Sequence, residues 1–98
     1  MRMLLKWKSG LEATNGAVRT GKMREINQSL EERTQPEAAY FCMENGHRTA
    51  HIFFDLADPS QIAVIAEPLF QDVSTTVEFI PVTTTVELRR GLAQASLV

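Results

Sequence analysis

The amino-acid sequence predicts an α+β domain in which a β-α-β-β-α-β order of elements builds one antiparallel sheet. Three observations carry that expectation. Asn45-Gly46 separates two β-prone runs between Pro36 and Asp55, and Asn-Gly is the strongest short-range hairpin signal because a type I′ turn needs positive φ at both central residues. Met23, Ile26 and Leu30 recur at spacings of three and four ahead of that hairpin, as one face of a helix requires. Asp58-Pro59-Ser60-Gln61 follows it with the form of a helix start: an Asp to cap, a Pro for the first helical position, and a Gln able to reach back.

Taken in chain order, Met1 to Lys8 alternates, with Met3, Leu5 and Trp7 on one side and Leu4, Lys6 and Lys8 on the other, which predicts a strand. Ser9 to Gly16 reads as loop. A short helical turn from Ala17 is expected, then the main helix from about Gly21 to Thr34, ended by Gln35-Pro36 because proline disfavours helix in the residue before it. In the hairpin, facing residue numbers sum to 91, which sets Tyr40 opposite His51, Cys42 opposite Thr49 and Glu44 opposite His47. Ile62, Ile65, Ala66 and Leu69 form the buried stripe of the next helix, and Pro68 is expected to kink or split it near Glu67. Thr75 to Val82 is β-branched and aromatic, hence a strand, and Pro81 requires that it lie at a sheet edge or be ending there, because proline cannot donate to a ladder. Thr84-Thr85-Val86-Glu87 has the pattern of a capping box opening a short helix through Leu92. This order of elements is the split-βαβ, ferredoxin-like arrangement. Right-handed crossovers then predict strand order 4-1-3-2 with the helices on one face.

At 98 residues the chain has room for one domain, residues 1–98, with a single core. A formal net charge of −2 argues against nucleic acid or an anionic membrane as partner, since phosphate backbones are bound by clustered Lys and Arg. The lone cysteine, Cys42, excludes an internal disulfide framework and fits a reducing compartment. The apolar run at the N-terminus is short for a signal peptide, and no stretch approaches the length of a membrane span. The expectation is a cytoplasmic protein. No phosphate-loop, dinucleotide, zinc or serine-nucleophile motif occurs, so no cofactor is expected.

The two faces of the predicted sheet differ. Ala39, Phe41, Met43, Ala50, Ile52 and Phe54 are apolar enough to lie under the helices. The other face carries Ala38, Tyr40, Cys42, Thr49, His51 and Phe53, joined by Leu4 and Lys6 from the first strand and by Glu78, Ile80 and Val82 from the last. Leaving its Phe, Tyr, Leu and Ile in water forfeits roughly 1.5–3 kcal/mol per side chain. A second copy packed sheet to sheet across a two-fold axis is the economical cover.

Four segments resemble a family. Pro36-Glu37-Ala38-Ala39-Tyr40-Phe41, Gly46-His47-Arg48-Thr49-Ala50, Asp58-Pro59-Ser60-Gln61-Ile62 and Ala66-Glu67-Pro68 are similar to segments of small bacterial proteins of the dimeric α+β-barrel superfamily, in members without an assigned activity. The resemblance implies a homodimer forming a dimeric α+β barrel. The wider superfamily includes cofactor-independent monooxygenases, haem-degrading enzymes, muconolactone isomerase-like proteins and ligand-sensing regulators, so the analogy concerns the fold and leaves activity open.

Two functional readings follow. In the first, a homodimeric binding or accessory protein holds a small, partly apolar molecule between its sheets, lined by Tyr40, Cys42, His51, Phe53 and Lys6. In the second, a cofactor-independent monooxygenase- or isomerase-like enzyme uses His51 as general base and Tyr40 as orienting donor. The bland alternative is that Tyr40 and His51 simply pack at the dimer interface. Cys42 lies diagonally from His51 at ~7–8 Å between backbones, long for a nucleophile-base contact without side-chain reach, and reads as a small apolar filler buried in the strand. His47 and His51 are ~13 Å apart along one strand and cannot share a metal within a protomer. Glu44 is expected to pair with His47 at the turn, Lys6 to meet Glu78 if the first and last strands pair, and Arg48, Arg89 and Arg90 to be solvated.

Overall fold

In the computed structural model, which describes residues 1–73 and 76–97, the first strand follows the alternation of its sequence. In β1 (Arg2–Lys8), Met3, Leu5 and Trp7 are buried and the residues between them are half-buried. The remaining elements are α1 (Leu11–Thr20), α2 (Lys22–Thr34), β2 (Ala38–Glu44), β3 (His47–Asp55), α3 (Gln61–Val73), β4 (Thr76–Pro81) and α4 (Thr85–Gln94). The four strands form one antiparallel sheet ordered β2-β3-β1-β4, which counted from the β4 edge is 4-1-3-2. Pro81 therefore ends an edge strand, where its missing N–H costs no ladder bond. Thr75, expected as the first residue of that strand, lies outside the described residues.

The β2–β3 hairpin turns through Asn45 and Gly46 with φ of 53° and 78°, and its register pairs Tyr40 with His51, Cys42 with Thr49 and Glu44 with His47. On the inward face of the sheet, Leu5, Trp7, Ala50, Ile52 and Phe54 pack against Ala17 of α1, Ile26 and Leu30 of α2, and Ile65, Leu69 and Val73 of α3. Of the apolar stripes expected from helical spacing, Ile26, Leu30, Ile65, Ala66 and Leu69 are buried, and Met23 and Ile62 pack half-buried against them.

Several expectations are corrected. Ser9 to Gly16, expected as loop, is helical from Leu11. Asn15 and Gly16 are weak helix formers; a local bond from Thr14 Oγ1 to the Gly10 carbonyl at 2.7 Å is joined by tertiary ones, Arg48 Nη1 donating to Thr14 Oγ1 and Asn15 Oδ1 at 2.9 Å each. Arg48 is solvent-exposed, as expected, and its guanidinium is in addition bonded into the fold. Gly21, in the left-handed region at φ 79°, breaks the segment into α1 and α2.

The α3 helix runs unbroken through Pro68 rather than splitting near Glu67. Proline removes the N–H that would bond the Val64 carbonyl four residues back, and Arg33 Nη1 of α2 donates to that same carbonyl at 3.2 Å. The capping box at Thr84 and Glu87 forms as its spacing predicts, and α4 continues past Leu92 to Gln94. None of its described residues is buried.

The largest departure concerns β2. Ala39, Phe41 and Met43, expected under the helices, are exposed, Phe41 by 64% and Met43 by 88%. The helical layer covers β1, β3 and β4 and stops short of this edge strand. Hairpin pairing places Phe41 beside buried Ala50, but a shared face is buried only as far as the opposing layer extends.

Candidate ligand-binding face of the sheet

The outward face of the sheet is ordered into rows by the strand registers. One row runs Tyr40, His51, Lys6, Glu78 across all four strands. Beside it on one side lies an apolar row of Ala38, Phe53, Leu4 and Ile80. On its other side lie Cys42, Thr49, Lys8 and Thr76. All five residues expected to bind a ligand, Tyr40, Cys42, His51, Phe53 and Lys6, share this face. The helices α1, α2 and α3 bury their apolar residues on the opposite one.

The Tyr40 and Phe53 rings meet edge to face, with centroids 6.5 Å apart and planes at 78°, so the polar and apolar rows are in contact. Cys42 Sγ lies 3.8 Å from His51 Nδ1. Side-chain reach closes the gap that the backbones leave open, and Cys42 is exposed rather than a buried apolar filler. Tyr40 is 64% exposed.

Lys6 is opposed to Glu78 in the ladder, but its ammonium goes elsewhere. Lys6 Nζ sits 2.8 Å and Lys8 Nζ 3.4 Å from Glu44 Oε2. Glu44 belongs to β2 and both lysines to β1, so these ion pairs bridge across β3, and Thr49 between them is buried. The Lys6 hydrogen bond is the main cause holding the Glu44 carboxyl below its ordinary value of 4.5, and the same bond raises Lys6 above its ordinary 10.5, with Glu78 adding to the effect. The expected Glu44–His47 pair is thereby corrected. Strand pairing alone could not reveal it, because a lysine spans the width of a neighbouring strand. His47 Nδ1 instead lies 3.2 Å from the Ser9 carbonyl, away from His51.

At the end of the sheet where β1 begins, Arg2 bridges Glu37 at 2.9 Å and also Glu87, the capping residue of α4. Its guanidinium charge is reinforced chiefly by the Glu37 hydrogen bond. This joins α4 to the sheet by polar contacts at its first turn.

Chemically the face offers an apolar floor at Phe53, Leu4 and Ile80 beside a phenol, an imidazole and an ammonium in one row. It suits a small molecule with an apolar body and a polar or anionic head. Among the described residues no group of three or more His, Cys, Asp or Glu side chains is placed to hold a metal ion, and no helix is long and apolar enough to cross a membrane. No protein-family model, curated protein or solved structure matches this chain.

Proposed function

We propose that this chain is a homodimeric small-molecule binding or accessory protein, in which two copies face each other sheet to sheet and enclose a ligand between them. One observation carries the reading: a full four-stranded face with a continuous apolar row and a continuous ionisable row has no helix of the described residues packed over it. Tyr40, His51 and Lys6 would engage the polar head of the ligand, with Cys42 set against His51. Phe53, with Leu4 and Ile80, would take its apolar body. The resemblance to dimeric α+β barrels points the same way. The two-fold arrangement also accounts for residues that would otherwise sit unfavourably in water.

A dilution series by light scattering tests the dimer. Persistence of twice the chain mass at low micromolar concentration supports it. Loss of the dimer in Tyr40→Glu, which places a charge on the face, supports the location. A monomer at every concentration refutes it.

The 3.8 Å contact between Cys42 and His51 favours a second reading, an enzyme with His51 as general base and Tyr40 as orienting donor. Turnover of a screened substrate that survives His51→Ala undiminished would exclude it.

A further inference from the structure

The two edges of the sheet are protected very differently. β4 carries Glu78 in its middle and ends on Pro81, a charge and a proline of the kind that keep an edge strand from pairing again. β2 has neither proline nor lysine between Ala38 and Glu44, and its five central residues are all exposed, on both faces. Among the described residues no strand pairs with its outer side.

The hairpin decides which backbone groups that edge offers. A two-residue turn closes on a hydrogen-bonded pair, here Glu44 and His47. Cys42, Tyr40 and Ala38 therefore bond to β3, and the N–H and C=O groups of Ala39, Phe41 and Met43 point outward from the edge. The neighbouring strand agrees: the carbonyl of Arg48, ladder partner of Met43, turns away from β2 and accepts from the Ser9 N–H at 3.0 Å. Three alternate residues with free donors and acceptors on an uncovered edge are a template for an extended strand.

A second copy of β2 fits that template in one register. With a two-fold axis normal to the sheet at Phe41, Phe41 faces Phe41 of the second copy, and Ala39 and Met43 face each other, small beside large. All three outward-bonding residues then sit in hydrogen-bonded pairs, each pair exchanging two bonds. Moving the axis to Tyr40 or Cys42 sets one of the three against a residue beyond the strand. The axis also keeps both sets of helices on the same side. Phe41 and Met43 of the two copies, 64% and 88% exposed in the single chain, then merge into one apolar strip flanked by the two α2 helices, whose Met23 borders it. Charge does not oppose the contact: the carboxylates at either end of β2 are already paired, Glu44 with Lys6 and Lys8, and Glu37 with Arg2.

We infer that the β2 edge is a self-association surface, at which two copies pair antiparallel about Phe41 and join their four-stranded sheets into one. This contact is separate from the sheet-to-sheet one. It uses the backbone along the outer side of β2 rather than the side chains of the outward face, and either can form alone.

Amide hydrogen exchange read by NMR tests this residue by residue. With a free edge, Tyr40 and Cys42 are protected by β3 while Ala39, Phe41 and Met43 exchange freely. Edge pairing protects these three as well. In a sample of about 1 mM, the Ala39 and Met43 amides should exchange about fivefold or more slowly than in Phe41→Lys, which opposes two like charges at the axis. Phe41 is exposed, so that change spares the core, and retained protection of Tyr40 and Cys42 checks it. Met43→Lys, also at an exposed residue, is the second variant, read at Ala39 and Phe41. In a mixture of labelled and unlabelled chains, the Tyr40 Hα should contact the Cys42 Hα of the other copy, because these two form the close, non-hydrogen-bonded pair. Ile80→Glu, on the outward face of β4, should remove the sheet-to-sheet dimer and leave the edge protection unchanged. The proposal is overturned if Ala39, Phe41 and Met43 exchange freely at about 1 mM, if both lysine variants leave their protection unaltered, or if the inter-chain contact joins other residues. Edge protection lost in Ile80→Glu also overturns it, since the face contact then accounts for the protection. A dimer with a freely exchanging edge refutes this proposal and leaves the sheet-to-sheet reading standing, so the two fail separately.

Discussion

Arg33 should matter because of Pro68. A proline in a helix interior is worth about 3 kcal/mol less than alanine in isolated helices, part of it from the unmade bond to the carbonyl four residues back. Here that carbonyl is Val64, and Arg33 Nη1 donates to it at 3.2 Å. Both residues are solvent-exposed, so water competes for the same carbonyl, and a net value of about 1 kcal/mol is expected for the bond. Arg33→Met keeps the apolar stem and removes the donor. It should lower stability by about 1 kcal/mol, or roughly 4–8 °C in melting temperature for a domain of this size. Pro68→Ala restores the helix N–H and should stabilise by about 1–2 kcal/mol, less than the isolated-helix figure because the unfolded chain also gains freedom. In the Pro68→Ala background the Val64 carbonyl already has a partner, and Arg33→Met should then cost about 0.3 kcal/mol. The four proteins form a double-mutant cycle with an expected coupling of about 0.7 kcal/mol, measured by urea unfolding. Equal costs of Arg33→Met in both backgrounds would refute the idea that Arg33 compensates for the proline.

Three further outcomes are expected. Glu44 has a depressed carboxyl pKa, so its contribution to stability is complete above the ordinary value of 4.5 and is lost as pH falls through its folded value. Lys6, raised above 10.5, loses its share as pH rises through its own. Glu44→Gln should flatten the acid limb of the stability profile as pH falls below the ordinary carboxyl value of 4.5; parallel urea midpoints in the two proteins would contradict this. Gly46→Ala should cost about 1–2 kcal/mol in thermal unfolding, since a Cβ there meets no neighbour and the penalty is that of the left-handed backbone alone. An unchanged melting temperature would show that the turn relaxes instead. Thr84→Ala removes the cap of a helix that buries none of its described residues. The expected result is lost amide protection across Thr85–Gln94 with the main unfolding transition unmoved; a global loss of stability would mean that α4 supports the core.

Much of this architecture is legible in local chemistry. Asn45-Gly46 sets a two-residue turn, a two-residue turn sets the register, and the register puts Tyr40 beside His51. The alternation in β1, imperfect at Leu4, and the spacing of Ile26, Leu30, Ile65 and Leu69 assign faces before any packing is known, because side chains repeat every two residues in a strand and every 3.6 in a helix. Thr84 and Glu87 cap α4 through a contact three residues long.

Tertiary structure decided what depends on distance across elements. Whether Phe41 and Met43 are covered turns on where α2 lies over the sheet, which no periodicity within β2 encodes. Ser9–Gly16 reads as loop because Asn15 and Gly16 are poor helix formers, and the support it gains from Arg48, 33 residues away from Asn15, is invisible locally. Lys6 chooses Glu44 over the directly opposed Glu78, and Cys42 reaches His51, because long side chains sample neighbours beyond their ladder partners. Patterns in the sequence determine elements, faces and registers, since these rest on local backbone geometry. The extent of a layer and the partner of a flexible charge are properties of the packed whole.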